Sequence, residues 1–200
     1  MEKPAPTDHP IHDLLRHRWS PRAFDPRPIE DDVLHALFEA ARWAPSSFNE
    51  QPWRFMVARQ ANPIEFERMV GCLVPGNQAW ARHAPVLMIA IASTQFGRNG
   101  KPNHHARYDV GQAVAHLSVE ATARGLFLHQ MAGIDAPKIR ETYEIPTDFD
   151  PLTAVAIGYP TDDLSHLSED LQKTERGPRR RRAQGDSVFA SSWAKPFGIQ

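Results

Sequence analysis

The spacing of apolar residues predicts a series of helices along the chain. In residues 30–43, apolar side chains recur three and four positions apart, so one face of a helix is apolar and the rest is polar. Similar spacing predicts a helix that begins at Pro10, one that begins at Pro63 and ends near Pro75, and a long helix over residues 104–124. In the first of these helices, the residues expected on the buried side are Ile11, Leu14 and Leu15.

Continuous apolar runs between these helices predict strands. The run Val86–Ala92 is apolar throughout, which is typical of a strand that is buried on both faces. Further strands are predicted at residues 53–57, 126–131 and 152–157, and a short helix over residues 136–143 separates the last two. The pattern therefore predicts a sheet that lies between layers of helices.

We expect residues 1–200 to form a single domain. No glycine-rich or serine-rich linker divides the chain, and 41% hydrophobic residues are enough for one sizeable core. Residues 1–9 are polar and are interpreted as an N-terminal extension, and residues 183–200 as a C-terminal tail. The aromatic residues of this tail need cover, either from the core of their own chain or from a partner subunit.

Composition excludes several classes of function. The net charge of -1 gives no overall field that would attract a polyanion. A lone cysteine, Cys72, excludes an internal disulfide and a multi-cysteine zinc site. No metal site is expected at the adjacent His104 and His105, because neighbouring residues on a helix point about 100° apart. No apolar run approaches the roughly 20 residues of a membrane span, and the polar N-terminus is unlike a signal sequence, so we expect a cytoplasmic protein without a membrane partner.

A polar loop joins the helix over residues 30–43 to the following strand. Pro45 ends the helix and Pro52 precedes the strand, because proline lacks an amide donor and restricts the residue before it. The short polar side chains between the two prolines are Ser46, Ser47, Asn49 and Gln51. The loop is interpreted either as an ordinary helix-to-strand turn or as a surface whose amides and hydroxyls point outward to a polar, planar or phosphorylated ligand.

Two arginine clusters are candidate sites for an anion. Arg18, Ser20 and Arg22 follow the first helix, and guanidinium groups bind phosphate bidentately. Near the other end of the chain, residues 179–182 are four consecutive arginines. The alternatives are a solvated helix end for the first cluster, and a solvated flexible tract or a nucleic-acid-binding segment for the second. Because no nucleic-acid fold motif or stacking platform accompanies the arginines, no nucleic-acid partner is expected.

Four motifs together resemble those of the nitroreductase family of flavoproteins, and the resemblance covers most of residues 11–189. The first is R-x-S-x-R-x-F, which ends at Phe24, and the second is P-S-S-x-N-x-Q-P-W, which ends at Trp53. The third is N-x-x-W-x-x-x-A-P-V, which ends at Val86, and the fourth is A-I-G-Y-P, which ends at Pro160. The resemblance implies a three-layer α+β sandwich in which helices flank a central mixed, mostly antiparallel sheet and the C-terminal tail is exchanged across a homodimer.

The resemblance also implies that FMN binds at the interface between the two subunits. The implied cofactor-binding positions are Arg18, Trp19, Ser20, Arg22, Pro45, Ser46, Ser47, Asn49, Gln51, Asn77, Ala132, Gly133, Arg180 and Arg182. Arg18, Arg180 and Arg182 would neutralise the phosphate, and Arg22 would lie near N1 and the C2 carbonyl of the flavin. The backbone of Gly133 would lie near flavin N5, where only a small residue allows main chain and ring to come so close.

The remaining positions have less specific implied roles. Ser20 and Asn77 would hydrogen-bond ribityl or ring atoms, and the loop from Pro45 would reach the cofactor of the neighbouring subunit. Ala132 takes the position where some relatives carry an acidic side chain. The departures from the family pattern are Trp19 in place of Arg or His, the charged Glu50 in the polar loop, and Trp80 in place of a lysine that assists the flavin pyrimidine in some members.

By the same resemblance, NADH or NADPH would give hydride to flavin N5, and a nitroaromatic, a quinone or an activated alkene would then accept it in a ping-pong mechanism. No side chain is expected to act as an obligatory acid, base or nucleophile. One alternative is a specialised flavin enzyme of the same superfold, of the reductive dehalogenase or flavin-fragmenting type. The other is a non-catalytic protein that binds flavin or nucleic acid.

Overall fold

One sheet of four strands forms the centre of the structure, a computed structural model that describes residues 2–198. The strands are β1 (Trp53–Arg59), β2 (Val86–Ser93), β3 (Phe127–Met131) and β4 (Phe149–Gly158). Met1, the first residue of the predicted N-terminal extension, and residues 199–200, the last two of the predicted tail, lie outside the described residues.

The order of the strands is β1-β2-β4-β3, so β1 and β3 are the two edges. Trp53 pairs with Ala92 across the first pair of strands, and Phe127 pairs with Gly158 across the last. The resemblance implies a mixed, mostly antiparallel sheet, and every pair among the described strands of this sheet is antiparallel. At about 4.8 Å between neighbouring strands, the two edges lie about 14 Å apart.

Helices cover both faces of the sheet. They are α1 (Asp13–His17), α2 (Asp31–Arg42), α3 (Pro63–Val70), α4 (Pro75–Ala81), α5 (Ala106–Ala123), α6 (Ala136–Thr142) and α7 (Glu169–Arg176). Two of these helices have clear signals at their ends. Gly125, with φ of +73°, follows α5 in a left-handed conformation, and the Ser168 side chain accepts from the amide of Leu171 at the start of α7. Among the helices of the described residues, none has the length and apolar character needed to cross a bilayer.

Strand β2 divides the core into two layers because its alternate side chains point to opposite faces. Leu87 and Ile89 pack in a cluster with α3, α4 and α6, whereas Met88 and Ala90 pack in a cluster with α2 and α5. Every residue from Val86 to Ala92 is buried, as the continuous apolar run predicts. The predicted three-layer α+β sandwich, with helices on both faces of an antiparallel sheet, is confirmed.

The prediction that Ile11, Leu14 and Leu15 lie on the buried side of α1 is wrong. The helix starts only at Asp13 and contains no buried residue, and Ile11 and Leu15 are 45% and 48% exposed. Their side chains face a surface cavity near the arginines of residues 179–182, so they do not enter the core.

The region around Pro75 and the segment after β4 also differ from the sequence prediction. Pro75 begins α4 and does not end α3, because a proline at the first helical position loses no hydrogen bond. Helix α7 was not predicted, although Ser168 as a cap, acidic residues in the first turn and basic residues in the last turn are its signals.

Candidate functional site

Arginines from both ends of the chain meet around one cavity. The cavity has a volume of about 380 Å³, and its lining includes Arg18, residues 179–182 and residues 5–9 of the N-terminal extension. Burial, together with the positive charges of Arg179 and Arg181, lowers the pKa of Arg18. Asp8 is the acidic residue of the lining, so arginines greatly outnumber acids. Such a surplus of fixed cations stabilises a bound anion.

Hydrogen bonds hold Arg179 and Arg18 in place. Arg179 Nη1 donates to the carbonyl oxygens of Lys3 and Arg16, over 2.7 and 2.8 Å. Arg18 Nη1 donates to Ser20 Oγ over 3.3 Å, so the first motif forms its own internal contact. Arg180 and Arg182, the predicted phosphate ligands, both line the cavity with exposed side chains. Their selection over Arg179 and Arg181 stays a prediction.

Behind these arginines lies a second group, formed by Arg22, Trp80, His129 and Glu175. Arg22 Nη1 donates to Glu175 Oε1 over 3.1 Å, and the Arg22 guanidinium lies 6.0 Å from the centre of the Trp80 ring. The rings of Trp80 and His129 are 4.5 Å apart. The Glu175 side chain is only 2% exposed. A buried carboxylate therefore compensates the cation predicted to contact the flavin ring.

His129 is uncharged near neutral pH. Burial, and then the charge of Arg22, lower its pKa to about 4. Its Nδ1 lies 2.9 Å from the carbonyl oxygen of Pro21, an acceptor, so the neutral ring carries its proton on Nδ1. This contact fixes the segment between Ser20 and Arg22 against the edge strand β3.

Gly133 lies two residues after the end of β3 and has no room for a side chain. A Cβ atom there would lie 2.6 Å from both Asn77 Nδ2 and Val74 Cγ2. The Gly133 carbonyl oxygen accepts from Asn77 Nδ2 and from the Val74 amide, each over 3.1 Å. Helix α4 therefore holds this turn tightly, and the predicted small residue is required by packing within the chain. Ala132, next to it, is exposed.

The polar loop before β1 has a strained backbone. Phe48, Asn49 and Gln51 have φ of 55°, 56° and 52°, in the left-handed region that L-residues adopt at a cost of about 1–2 kcal/mol each. Ser46 Oγ accepts from the Gln51 amide over 3.0 Å, so one predicted outward hydroxyl is used inside the loop. Backbone strain of this size persists only where the surrounding structure holds the conformation in place. Strained residues of this kind are common at ligand-binding sites.

Two carboxylates fix this loop, one on α5 and one in the loop itself. Asp109 Oδ2, on the buried face of α5, accepts from the Ser47 amide over 3.0 Å. Glu50 Oε1 accepts from the Gly97 amide over 2.6 Å, which satisfies the charge that interrupts the polar loop. Phe48 is 72% exposed and packs edge-on against Phe96, with ring centres 5.8 Å apart.

The predicted site residues fall into two groups at opposite edges of the sheet. At β3, the structure brings together Arg18, Ser20, Arg22, Asn77, Ala132, Gly133, Arg180 and Arg182. At β1, it places Pro45, Ser46, Ser47, Asn49 and Gln51. Trp19 belongs to the first group but is 7% exposed, and its indole lies between Phe127 and Lys3. Among residues 2–198, the lining of the arginine cavity includes none of the loop residues from Pro45 to Gln51.

Four residues at the site were missed from the sequence: Lys3, Asp109, His129 and Glu175. Two of them had a readable signal, since Asp109 lies four positions before the buried Ala113 and Glu175 four positions after Leu171, each on the inner face of its helix. Lys3 and His129 had no readable signal in the sequence, because the residues that they contact are distant along the chain. Within residues 2–198, no cluster of three or more His, Cys, Asp or Glu side chains could hold a metal ion.

Comparison with known proteins gives matches over most of the chain. The model of the Nitroreductase family matches residues 15–159. Protein DrgA of Synechocystis sp. is 30% identical over 178 residues, which cover 76% of this chain and 84% of that protein. A protein of Ralstonia nicotianae, named as a candidate NADH dehydrogenase/NAD(P)H nitroreductase, is 28% identical over 160 residues, which cover 70% of this chain and 78% of that protein.

Solved structures share the fold. A crystal structure described as "the oxidoreductase containing FMN" has a TM-score of 0.88 and 35% identity, and the match covers 94% of this chain and 96% of that one. A nitroreductase family protein from Clostridium difficile 630 matches with a TM-score of 0.67 at 21% identity, over 90% of this chain and 96% of that one. The family match, the relatives and the fold agree with the four motifs, and this chain belongs to the nitroreductase family.

Proposed function

We propose that this protein is an FMN-dependent oxidoreductase that passes hydride from NADH or NADPH to a nitroaromatic, quinone or activated-alkene acceptor. The observation that carries the proposal is the cavity where Arg18 meets residues 179–182, because it supplies a dense set of cations for a phosphate. The structure at 35% identity, described as an oxidoreductase containing FMN, supports the same cofactor.

The residues around the cavity fit FMN along its length. The arginines provide the charge for the phosphate, and Ser20 and Asn77 lie beyond them with hydroxyl and amide groups. Gly133 is partly exposed and has no side chain of its own, and its contacts with Asn77 and Val74 hold its main chain in place beside the proposed ring position. Arg22 would offer guanidinium N–H donors to the end of the ring that becomes negative on reduction.

FMN would supply the redox chemistry, since it accepts a hydride and gives it up again. The protein's own side chains would bind, orient and stabilise charge. The Arg22–Glu175 pair fixes a guanidinium beside Trp80, and the neutral His129 anchors the first motif without adding charge. None of these groups needs to exchange a proton with the substrate.

We further propose a cytoplasmic homodimer in which each FMN lies between the subunits and the C-terminal tails are exchanged. The polar loop lies at the β1 edge, about 14 Å across the sheet from the arginine-lined edge, so a second copy is needed to bring the two together. The tail supports this proposal, because Trp193 and Phe197 are 89% and 55% exposed in the single chain.

Purified protein tests the function directly. Protein made without added cofactor should be yellow and should release FMN on denaturation, and NADH or NADPH should bleach it anaerobically. A steady-state screen of both nicotinamides against a nitroaromatic, a quinone and an enone would then identify the donor and the class of acceptor. Colourless protein that takes up no FMN would contradict the proposal, and bound FMN that does not turn over with a quinone would favour a specialised flavin reaction.

A further inference from the structure

Glu175 is an unusual residue for its position near the end of α7. Its side chain is 2% exposed, although carboxylates are almost never fully buried unless they are paired. Its partner Arg22 is 26% exposed and belongs to the first family motif. The pair therefore links the C-terminal helix to the segment that follows α1.

The surroundings of Glu175 are cationic. Lys3 Nζ donates to the Glu175 carbonyl oxygen. Burial lowers the pKa of Lys3, and Arg179 and Arg22 add to this decrease, whereas the Glu175 charge acts against it. Trp80 and the neutral His129 complete the neighbourhood of Arg22. Within the described residues around Arg22, the Glu175 carboxylate is the acidic group in direct contact with it.

An ion pair has a much weaker field at a distance than a single charge. A free arginine beside the flavin pyrimidine would stabilise the negative charge that the ring gains on reduction. When a buried carboxylate lies 3.1 Å from the guanidinium, the two charges largely cancel at the ring. Trp80 stands at the position where some relatives carry a lysine. Because Trp80 is uncharged, it does not replace the positive charge that Glu175 cancels.

We propose that Glu175 neutralises Arg22 and thereby keeps the reduction potential of the bound flavin low, which makes the reduced enzyme a stronger reductant. This inference rests on the proposed FMN function. It assigns to Glu175 a positioning and charge-setting role through Arg22, without contact with the substrate.

The test uses the FMN-loaded protein in a cycle of variants: Glu175→Gln, Arg22→Gln and the double variant. Glu175→Gln keeps an oxygen acceptor for Arg22 but removes the negative charge. We therefore expect the ratio of the affinity for reduced FMN to the affinity for oxidised FMN to rise about tenfold or more. For a two-electron couple, a tenfold change equals about 30 mV in potential. Arg22→Gln should change the preference in the opposite direction, and the double variant should return to within about twofold of wild type, because replacing both members of a buried pair removes no net charge.

Potentials are measured by equilibrium reduction against a reference dye, and FMN affinities by fluorescence titration. Glu169→Gln is the matched control, because Glu169 is exposed in the first turn of the same helix, and its potential should equal that of wild type. A Glu175→Gln variant with bound FMN and an unchanged potential would overturn the inference. If that variant does not fold, a double variant with the same potential as Arg22→Gln would overturn it equally. Wild-type protein that binds no FMN would contradict the proposed function instead.

Discussion

Individual charges decide whether the arginine-lined cavity can hold an anion. Arg18 is half-buried and lies next to Arg179 and Arg181. Folding therefore already includes part of the electrostatic repulsion between these cations. A bound phosphate offsets that repulsion and makes charge-assisted hydrogen bonds. Arg18 should therefore contribute more to FMN affinity than an exposed arginine would.

Replacing Arg18 by alanine should weaken FMN binding about tenfold to hundredfold, because hydrogen bonds to charged groups contribute about 1.5–3 kcal/mol. Fluorescence titration of apoprotein with FMN measures the change. Arg16→Ala is the control, since the Arg16 side chain is exposed and its carbonyl oxygen, which receives Arg179, is retained. Equal affinities of the Arg18 and Arg16 variants would exclude Arg18 as a phosphate ligand.

His129 should make stability depend on pH. Its pKa falls from the usual 6.5 to about 4 on folding, so between these values the unfolded chain binds a proton that the folded chain does not. The free energy of unfolding therefore has its full value above pH 6.5. It decreases as the pH falls to about 4, and the total decrease is at most about 3 kcal/mol.

Urea unfolding at pH 7.5 and pH 5 measures this loss. In His129→Gln, which keeps a donor for the Pro21 carbonyl, the decrease in unfolding free energy between the two values should be smaller than in wild type. His35→Gln, at an exposed position on α2, should retain the wild-type decrease. If the two variants lose stability equally, His129 is not the titrating group.

Helix α5 and the polar loop act as one unit through the Asp109 carboxylate. Asp109→Ala removes the acceptor of the Ser47 amide and leaves a part-buried donor unpaired, which should cost about 1 kcal/mol or more. Because the loop holds a strained backbone, FMN should also dissociate faster. Thermal unfolding and stopped-flow flavin release measure the two effects, and His116→Ala, at an exposed position on α5, is the control. A variant that loses stability without faster FMN release would separate the loop from the cofactor site.

The sequence predicted those elements whose apolar pattern is strong. Strand β2 and helices α2 and α5 were placed to within one or two residues, because their buried faces dominate local preference. Helix α7 was missed because its sequence is mostly charged and a single buried carboxylate, Glu175, points inward. The site residues were found through motifs, whereas the pairing of Arg22 with Glu175 depends on residues 153 positions apart and leaves no local pattern.

In the whole molecule, FMN binding and subunit association should depend on each other. A tryptophan at Ser47 would place a large side chain in the loop that we assign to the partner's cofactor, so Ser47→Trp should reduce FMN content and shift the protein toward monomer. Light scattering with flavin absorbance measures both in one run. Ser165→Trp, at an exposed position between β4 and α7, should change neither. Loss of flavin from a dimer of unchanged stability would contradict a shared site.

The separation of the site residues between the β1 and β3 edges has a consequence for genetics. In the proposed homodimer, a subunit with a defective arginine edge and a subunit with a defective loop would form a hybrid in which one site carries both defects and the other carries neither. Random mixing of equal amounts makes about half of the dimers hybrid, so about a quarter of all sites would be intact. Two inactive alleles in one cell would thus restore activity together, and a screen for loss of function would divide the chain into two complementation groups, one for each edge of the sheet.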